Sequence, residues 1–258
     1  MADLRVGFLG DGHLNGVLRR AVDDSRPYRV VGSFRRLDEL PDAEDVDVIV
    51  EAATQQAVRE RVPGLLDVGI DVILLSVGAL ADAVLRTDLL GAHHPGRVIP
   101  CTGAIGGLDQ VRALRAEGPL TSVSIESRKL PATLIQSWMT PALQRDLERG
   151  DREIVLAEGS ASEISQRFPS SANVAASLAL AADAWDIATA RVVADPAATR
   201  TRHEIYAASA LGEVRCTATN APSPERPRSS AVVAWAALRA LDDYARLRGF
   251  GSAGVAFL

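Results

Sequence analysis

Two cysteines, Cys101 and Cys216, are all that a chain of 258 residues carries. They cannot make a disulfide framework, and neither has a neighbour at zinc-ligand spacing. Histidine is scarce too, with four in the chain. No sequence pattern of His, Cys and carboxylates suggests a metal, so none is expected. His93-His94, just before Pro95, read as solvated loop residues. Positive charge is not in excess. The net charge of −5 at pH 7 leaves no electrostatic reason to expect a nucleic-acid partner. Every apolar run falls short of a membrane span. The opening MADLRVGFLG leads into a strand-like run rather than a signal sequence, so a cytoplasmic setting with no membrane partner is expected. There is no internal repeat and no low-complexity linker.

The chain does have 47% hydrophobic and 24% charged residues, an ordinary globular balance with ample length for a sizeable core. Up to Gly107, apolar runs alternate with helical patterns. Arg5 to Leu9, YRVVGSF, VDVIVEAA, DVILLSVGAL and GRVIPCTGAIGG read as strands. Leu14, Val17, Leu18, Ala21 and Val22 fall at helical spacing, and QQAVRERVPGLLDVG supplies a second helix. Such alternation predicts a parallel sheet with crossover helices on both faces. Beyond Gly107, TSVSIESRKL, DREIVLAEGS, IATARVVADP, HEIYAASALG and EVRCTATNAP read as strands broken by one helix, NVAASLALAADAW. Strand following strand predicts a mainly antiparallel sheet. SSAVVAWAALRALDDYARLRG closes the chain as a long helix with a serine start and a glycine stop. The expected fold is α/β: a Rossmann-type dinucleotide-binding domain over 1–105, an α+β catalytic domain over 106–228, and a C-terminal helix in 229–258 packing back on the first domain.

The stretch Gly10-Asp11-Gly12-His13-Leu14-Asn15-Gly16 follows a strand and opens a helix. Gly10 allows a tight turn, and Gly12 leaves room for a pyrophosphate at the positive end of the helix. The third small residue of the dinucleotide pattern falls on Asn15. A plain glycine turn is the competing reading. At the end of the second strand, where an NAD-preferring fold carries an acid, the chain has Ser33-Phe34-Arg35-Arg36. A serine and two arginines suit the 2′-phosphate of NADP, because guanidinium pairs with phosphate bidentately. NADP(H) is therefore the expected cofactor, with NAD the alternative, and Gly10, Gly12, His13, Leu14, Ser33, Arg35 and Arg36 are the candidate contacts. A solvated basic loop is the other reading of the arginines.

Several motifs together resemble the L-aspartate dehydrogenases: TGAIGGLD (Thr102 to Asp109), NVAASLAL (Asn173 to Leu180), ADPAATRTRHEI (Ala194 to Ile205) and NAPSPERPRSS (Asn220 to Ser230). LLSVGALAD (Leu74 to Asp82) and SRKLP (Ser127 to Pro131) are similar to that family as well. The resemblance spans nearly the whole chain in the family's order. It implies oxidative deamination of L-aspartate through iminosuccinate to oxaloacetate, or the reverse, often by a homodimer. By motif position it implies that His203 is the catalytic histidine and that Ala104 and Asn173 contact the cofactor. The chain departs from the family at Thr201, where asparagine is usual, and in RPRSS, where Arg226 and Arg228 replace asparagine and lysine. Those departures keep a second reading open: an NADP-dependent imine reductase acting on another amino acid or imine. A dinucleotide-binding protein without catalysis is the third.

Taken alone, His203 at the start of an alternating strand reads as a structural histidine. Within the family motif it reads as the group that exchanges a proton with water or amine, since imidazole titrates near neutrality. Lys129 and Arg228 are candidate holders of an amino acid or oxo acid carboxylate; as surface cations they would do nothing of the kind. Asp195, in Asp195-Pro196, either caps a turn or orients His203. Trp138 falls in a region expected to border the site.

Overall fold

The structure is a computed structural model that describes residues 3–22, 26–36 and 38–250. The chain divides into two compact units, with breaks after Gly103 and Val232.

The first unit is built on β1 (Leu4–Leu9), β2 (Tyr28–Phe34), β3 (Val48–Glu51), β4 (Asp71–Leu74) and β5 (Val98–Pro100). Every pairing is parallel, in the order β2-β1-β3-β4-β5. β3 and β4 are buried at every position, as expected of strands covered on both faces. Helices α1 (His13–Ala21), α2 (Gln55–Asp67) and α3 (Ala83–Leu89) lie in the connections. Thr54 starts α2 by accepting the Ala57 N–H, and Asp82 starts α3 in the same way. The strand order reverses between β1 and β3, and the crevice beyond the carboxyl ends of such strands is where doubly wound sheets bind ligands.

The unit is completed by α8 (Val232–Leu247). Its Ala234, Ala237, Leu238, Leu241, Tyr244 and Ala245 recur at helical spacing and share one core with Leu4, Val6, Phe8, Leu18 and Tyr28. Polar ties fix its register. Arg26 donates to Asp242 at 2.6 Å, and Tyr244 Oη donates to Asp71 at 2.7 Å.

The second unit carries β6 (Ser122–Lys129), β7 (Ile154–Ser160), β8 (Ala188–Ala194), β9 (Thr201–Ser209) and β10 (Gly212–Asn220). The order is β10-β9-β6-β8-β7. β6 and β8 pair in parallel; the other pairings are antiparallel. Helices α4 (Leu108–Leu114), α5 (Pro141–Arg149), α6 (Ala161–Arg167) and α7 (Asn173–Ala182) complete it. Of these helices only α7 is expected from the apolar pattern. The others are short, and α6 begins where β7 ends: Ser160 closes the strand and caps the helix in a capping box with Glu163.

β6 alternates strictly, with Val123, Ile125, Ser127 and Lys129 buried and the residues between them half-buried. On β9 the buried members include His203, Ile205 and Ala207. The alternate residues form a charged ladder in which Arg128 donates to Glu126 at 2.6 Å and Arg191 pairs with Glu126 at 3.3 Å.

Candidate active site

In the first unit, Gly10 ends β1 with a φ of +104°, which glycine adopts without strain. A Cβ on it would lie 2.8 Å from the Ala53 Cβ, so the β3–α2 loop closes against it. Gly12 differs. A Cβ there would meet only the Ala52 carbonyl, at 4.0 Å, and the space before α1 is open. No side chain caps α1, and its first turn holds no acid. Its leading N–H groups and positive end suit a pyrophosphate. His13 and Leu14 open the helix, and the Leu14 side chain packs on the unit's core.

Asn15 fills the place of the third small residue. It is fully buried, and its Nδ2 donates to the Leu9 and Gly10 carbonyls at 2.9 Å each. Two hydrogen bonds thus tie helix to strand where close glycine packing does so in the usual pattern. Gly12→Val leaves the protein's own packing undisturbed but fills the open space. The dissociation constant for NADPH, followed by its fluorescence, is expected to rise at least tenfold, about 1.4 kcal/mol, with the circular dichroism unchanged. Unaltered affinity would make this only a turn.

At the end of β2 the structure adds Arg19 to the residues legible in the sequence. Arg19, on α1, donates to Ser33 Oγ at 3.0 Å and to Asp11 at 3.2 Å. Arg35 donates to the other Asp11 oxygen at 3.0 Å. Hydrogen bonds from Arg35 and then Arg19 hold the Asp11 carboxyl below its usual range. Arg36 turns instead to Glu60, at 2.5 Å. Ser33, Arg35 and Arg19 therefore gather around Asp11, while Arg36 is engaged elsewhere. Arg19 looked like ordinary helix surface in the sequence, because only the fold brings α1 beside β2.

Glu51 was also missed. It is fully buried at the end of β3, where it accepts from the Ala53 N–H, the Ser76 N–H and the Ser76 hydroxyl, each at 2.8 Å. Burial raises its carboxyl pKa against these hydrogen bonds. It joins the β3–α2 loop to the segment after β4.

In the second unit the antiparallel register sets His203 of β9 opposite Ser127 of β6. Ser127 Oγ lies 2.8 Å from His203 Nδ1. The tautomer in which Nδ1–H donates to Ser127 leaves Nε2 its lone pair, the form a general base requires. Two residues along β6, Lys129 donates from Nζ to the Ser171 carbonyl at 3.0 Å, just before α7. An ammonium has three N–H donors, so further donors remain for an anion.

His203 is 1% exposed and Lys129 6%. Burial lowers the Lys129 pKa to about 8. Burial first, and then the Lys129 charge, lowers the His203 pKa to about 3. The near-neutral titration expected of His203 from the sequence is thus corrected: this imidazole rests neutral, and Lys129 is the group whose pKa is brought down to about 8.

The remaining candidates lie as follows. Asn173 is the first residue of α7, two positions beyond the Ser171 carbonyl that holds Lys129. The Ala104 carbonyl accepts from Asn220 at 2.8 Å, and Asn220 pairs with Thr201 at the start of β9. Arg228 is exposed, in a loop pinched by the Pro222–Ser230 bridge. Asp195 caps its turn, accepting the Ala197 N–H at 2.9 Å, and Ser127 rather than Asp195 is the hydrogen-bond partner of His203. Trp138 donates to the Arg167 carbonyl at 3.0 Å and stacks edge-on against Phe168, three residues before Ser171.

A glycine turn at the switch point of a doubly wound parallel sheet is the architecture in which dinucleotides bind, and the second sheet of the chain holds a buried histidine and lysine. The family profile for the C-terminal part of aspartate dehydrogenase matches residues 109–244, and that for the NAD binding domain of homoserine dehydrogenase matches residues 6–98. The L-aspartate dehydrogenase of Methanosarcina mazei is 34% identical over 262 residues, covering 92% of this chain and 96% of that one. L-aspartate dehydrogenase 2 of Bordetella pertussis is 38% identical over 247 residues, covering 92% and 90%. The chain belongs to the L-aspartate dehydrogenase family, as its motifs suggested. The crystal structure of aspartate dehydrogenase from Thermotoga maritima shares the fold, with a TM-score of 0.74 at 24% identity over 98% of this chain and 99% of that one. No helix among the described residues is long and apolar enough to cross a membrane.

Proposed function

We propose that this protein oxidises L-aspartate through iminosuccinate to oxaloacetate and ammonia, or runs the reverse reaction, with NADP(H) preferred over NAD(H). The observation that carries this reading is the buried set of Ser127, His203 and Lys129, in a member of the L-aspartate dehydrogenase family. A homodimer accompanies it as an expectation from the family resemblance, and a cytoplasmic setting as an expectation from the sequence.

The nicotinamide, when bound, supplies the two-electron acceptor. The chain's own residues supply charge, orientation and proton transfer. Lys129 holds a substrate carboxylate in a dry setting, where a fixed ammonium attracts more strongly than in water, and Arg228 is a second candidate for that task. Ser127 sets the imidazole ring. His203 Nε2 takes a proton from water as the water oxygen bonds to the imine carbon. Passing that proton to nitrogen makes ammonia the leaving group, and the same imidazole takes the hydroxyl proton as the C–N bond breaks and the ketone forms. In the reverse direction the same nitrogen exchanges the proton as water departs. Ala104 and Asn173 remain the proposed cofactor contacts of this unit.

The NADP preference rests on Ser33, Arg35 and Arg19 gathered at the end of β2. A 2′-phosphate bound there would draw on the guanidinium donors of Arg19 and Arg35 that Asp11 holds. Loss of one arginine–phosphate hydrogen bond is worth about 1.5–3 kcal/mol, so Arg35→Ala and Arg19→Ala are each expected to narrow the preference. Absorbance of reduced nicotinamide tests both points, using each cofactor with aspartate, and with oxaloacetate or other 2-oxo acids plus ammonium. Turnover of another oxo acid without the aspartate pair would displace the substrate assignment. Equal affinity of the unmutated protein for NADPH and NADH would remove the cofactor preference.

A further inference from the structure

The first unit holds a second group of polar side chains, away from the glycine turn. Asp67 ends α2, Asp88 lies near the end of α3, and His93-His94 sit in the loop before β5. The sequence reading placed both histidines in solvent. Instead, the His94 side chain is 3% exposed, and its Nδ1 lies 2.8 Å from Asp67 Oδ1. An ionised carboxylate only accepts, so this bond puts the proton on Nδ1 and leaves neutral His94 a lone pair on Nε2. That Nε2 is buried without a hydrogen-bond partner. It faces Asp88 Oδ1 at 3.6 Å, and His93 Nε2 lies 3.2 Å from the same oxygen.

A proton or a metal ion between His94 Nε2 and Asp88 Oδ1 would satisfy both groups. We propose that Asp88, His93 and His94 form a binding site for a divalent transition-metal ion of the zinc type. Tetrahedral geometry with bonds of about 2.0–2.1 Å puts ligand atoms roughly 3.3–3.4 Å apart. The separations of 3.2 and 3.6 Å bracket that value, and the three ligand atoms lie within 4.8 Å of one another. Two imidazoles and one carboxylate favour zinc, cobalt or nickel over magnesium or calcium. The bond from Asp67 to the far nitrogen of His94 is the carboxylate–histidine arrangement that fixes the tautomer and orientation of a metal-bound imidazole. Gly91 permits it sterically, since a Cβ there would lie 2.5 Å from His93 Nδ1. The side chains of Asp88 and His93 are 41% and 57% exposed, so the ion can enter from solvent and water can complete its shell. A bound ion would tie α3 to the loop entering β5, and through Asp67 to the end of α2.

Calorimetric titration of ZnCl2 into chelator-treated protein free of any affinity tag tests the site. The expected result is one zinc ion per chain with a micromolar dissociation constant, together with a raised melting temperature. Asp67→Ala should weaken binding about 10–100-fold, the effect of losing such an outer partner. Asp88→Asn and His93→Ala, both at solvent-accessible side chains, should abolish saturable binding while circular dichroism stays unchanged. Cobalt(II) should give the visible absorption of a four-coordinate centre in the parent protein and lose it in those variants. Absence of zinc binding to the parent, or binding of equal strength in Asp88→Asn and His93→Ala, would show that these groups form only a hydrogen-bonded cluster.

Discussion

Replacing His203 with alanine is expected to lower kcat by about 10²–10⁴-fold, the contribution of a positioned acid–base group. Affinity for NADPH should change little, because the glycine turn and the end of β2 belong to the other compact unit. His203→Asn should be nearly as slow, since an amide can hydrogen-bond Ser127 but cannot take the proton. Burial also dictates the pH behaviour. With its pKa lowered to about 3, His203 is already neutral through the acid side of neutrality, so kcat/KM should show no limb from this group near pH 6.5. The same shift makes stability pH-dependent. Between pH 6.5 and 3 the unfolded chain binds the histidine proton and the folded chain does not. The contribution to stability is therefore complete above 6.5 and is lost as the pH falls toward 3. Denaturant titrations of His203→Asn should show a shallower decline over that interval. A folded His203→Ala protein with near-normal turnover would reduce His203 to a strand residue.

Lys129→Met should lower kcat/KM for aspartate by about 30–1000-fold, corresponding to roughly 2–4 kcal/mol for removing one partner of a buried charge pair. The methionine nearly matches the stem in shape, so packing is kept and only the ammonium goes. Stability should move the other way. The folded pKa of about 8 lies below lysine's ordinary 10.5, so the folded state holds this proton less tightly than the unfolded chain. That deficit is full below pH 8 and is relieved as the pH rises from 8 toward 10.5. Lys129→Met lacks the deficit and should be more stable at pH 7, by up to roughly 3 kcal/mol. A variant more stable yet far less active separates a binding role from a structural one. Lys129 is also the one lysine among 28 Lys and Arg residues. Lysine-selective isotope labelling should therefore give a single side-chain resonance titrating near pH 8. A midpoint near 10.5, or unchanged kcat/KM in Lys129→Met, would remove Lys129 from the site.

That lone lysine is a legible signal in the sequence, even where Lys129 and Arg228 are weighed equally as carboxylate holders. Where arginine supplies every other basic side chain, a lysine marks a place for a compact cation that can give up its proton, which arginine does not do. The glycine turn was legible for the same kind of local reason: a strand, two glycines and an amphipathic helix lie within a few consecutive residues. Asn15 was misleading because its side chain does the work of a small residue by hydrogen bonding rather than by close packing. Helices α4, α5 and α6 were missed because seven to nine residues give too few turns for an apolar stripe to stand out. His94 looked solvated, as its exposed neighbour His93 is, because nothing adjacent in sequence shows that Asp67 and Asp88 converge on it.

Strands, through apolar runs and strict alternation, longer helices, through their stripes and caps, and the family, through motifs kept in order, were legible along the chain. These are local properties, encoded within a few residues of one another. Which side chains meet was set by the packing of elements far apart in the chain. Ser127 and His203 are 76 residues apart, and Lys129 and Ser171 are 42 apart. They come together because β9 pairs with β6 and the segment before α7 lies over the end of β6. Burial was decided there as well, and with it the neutral histidine and the weakened lysine. Excluding water from a charged group depends on everything packed around it, and no short stretch of sequence specifies that environment.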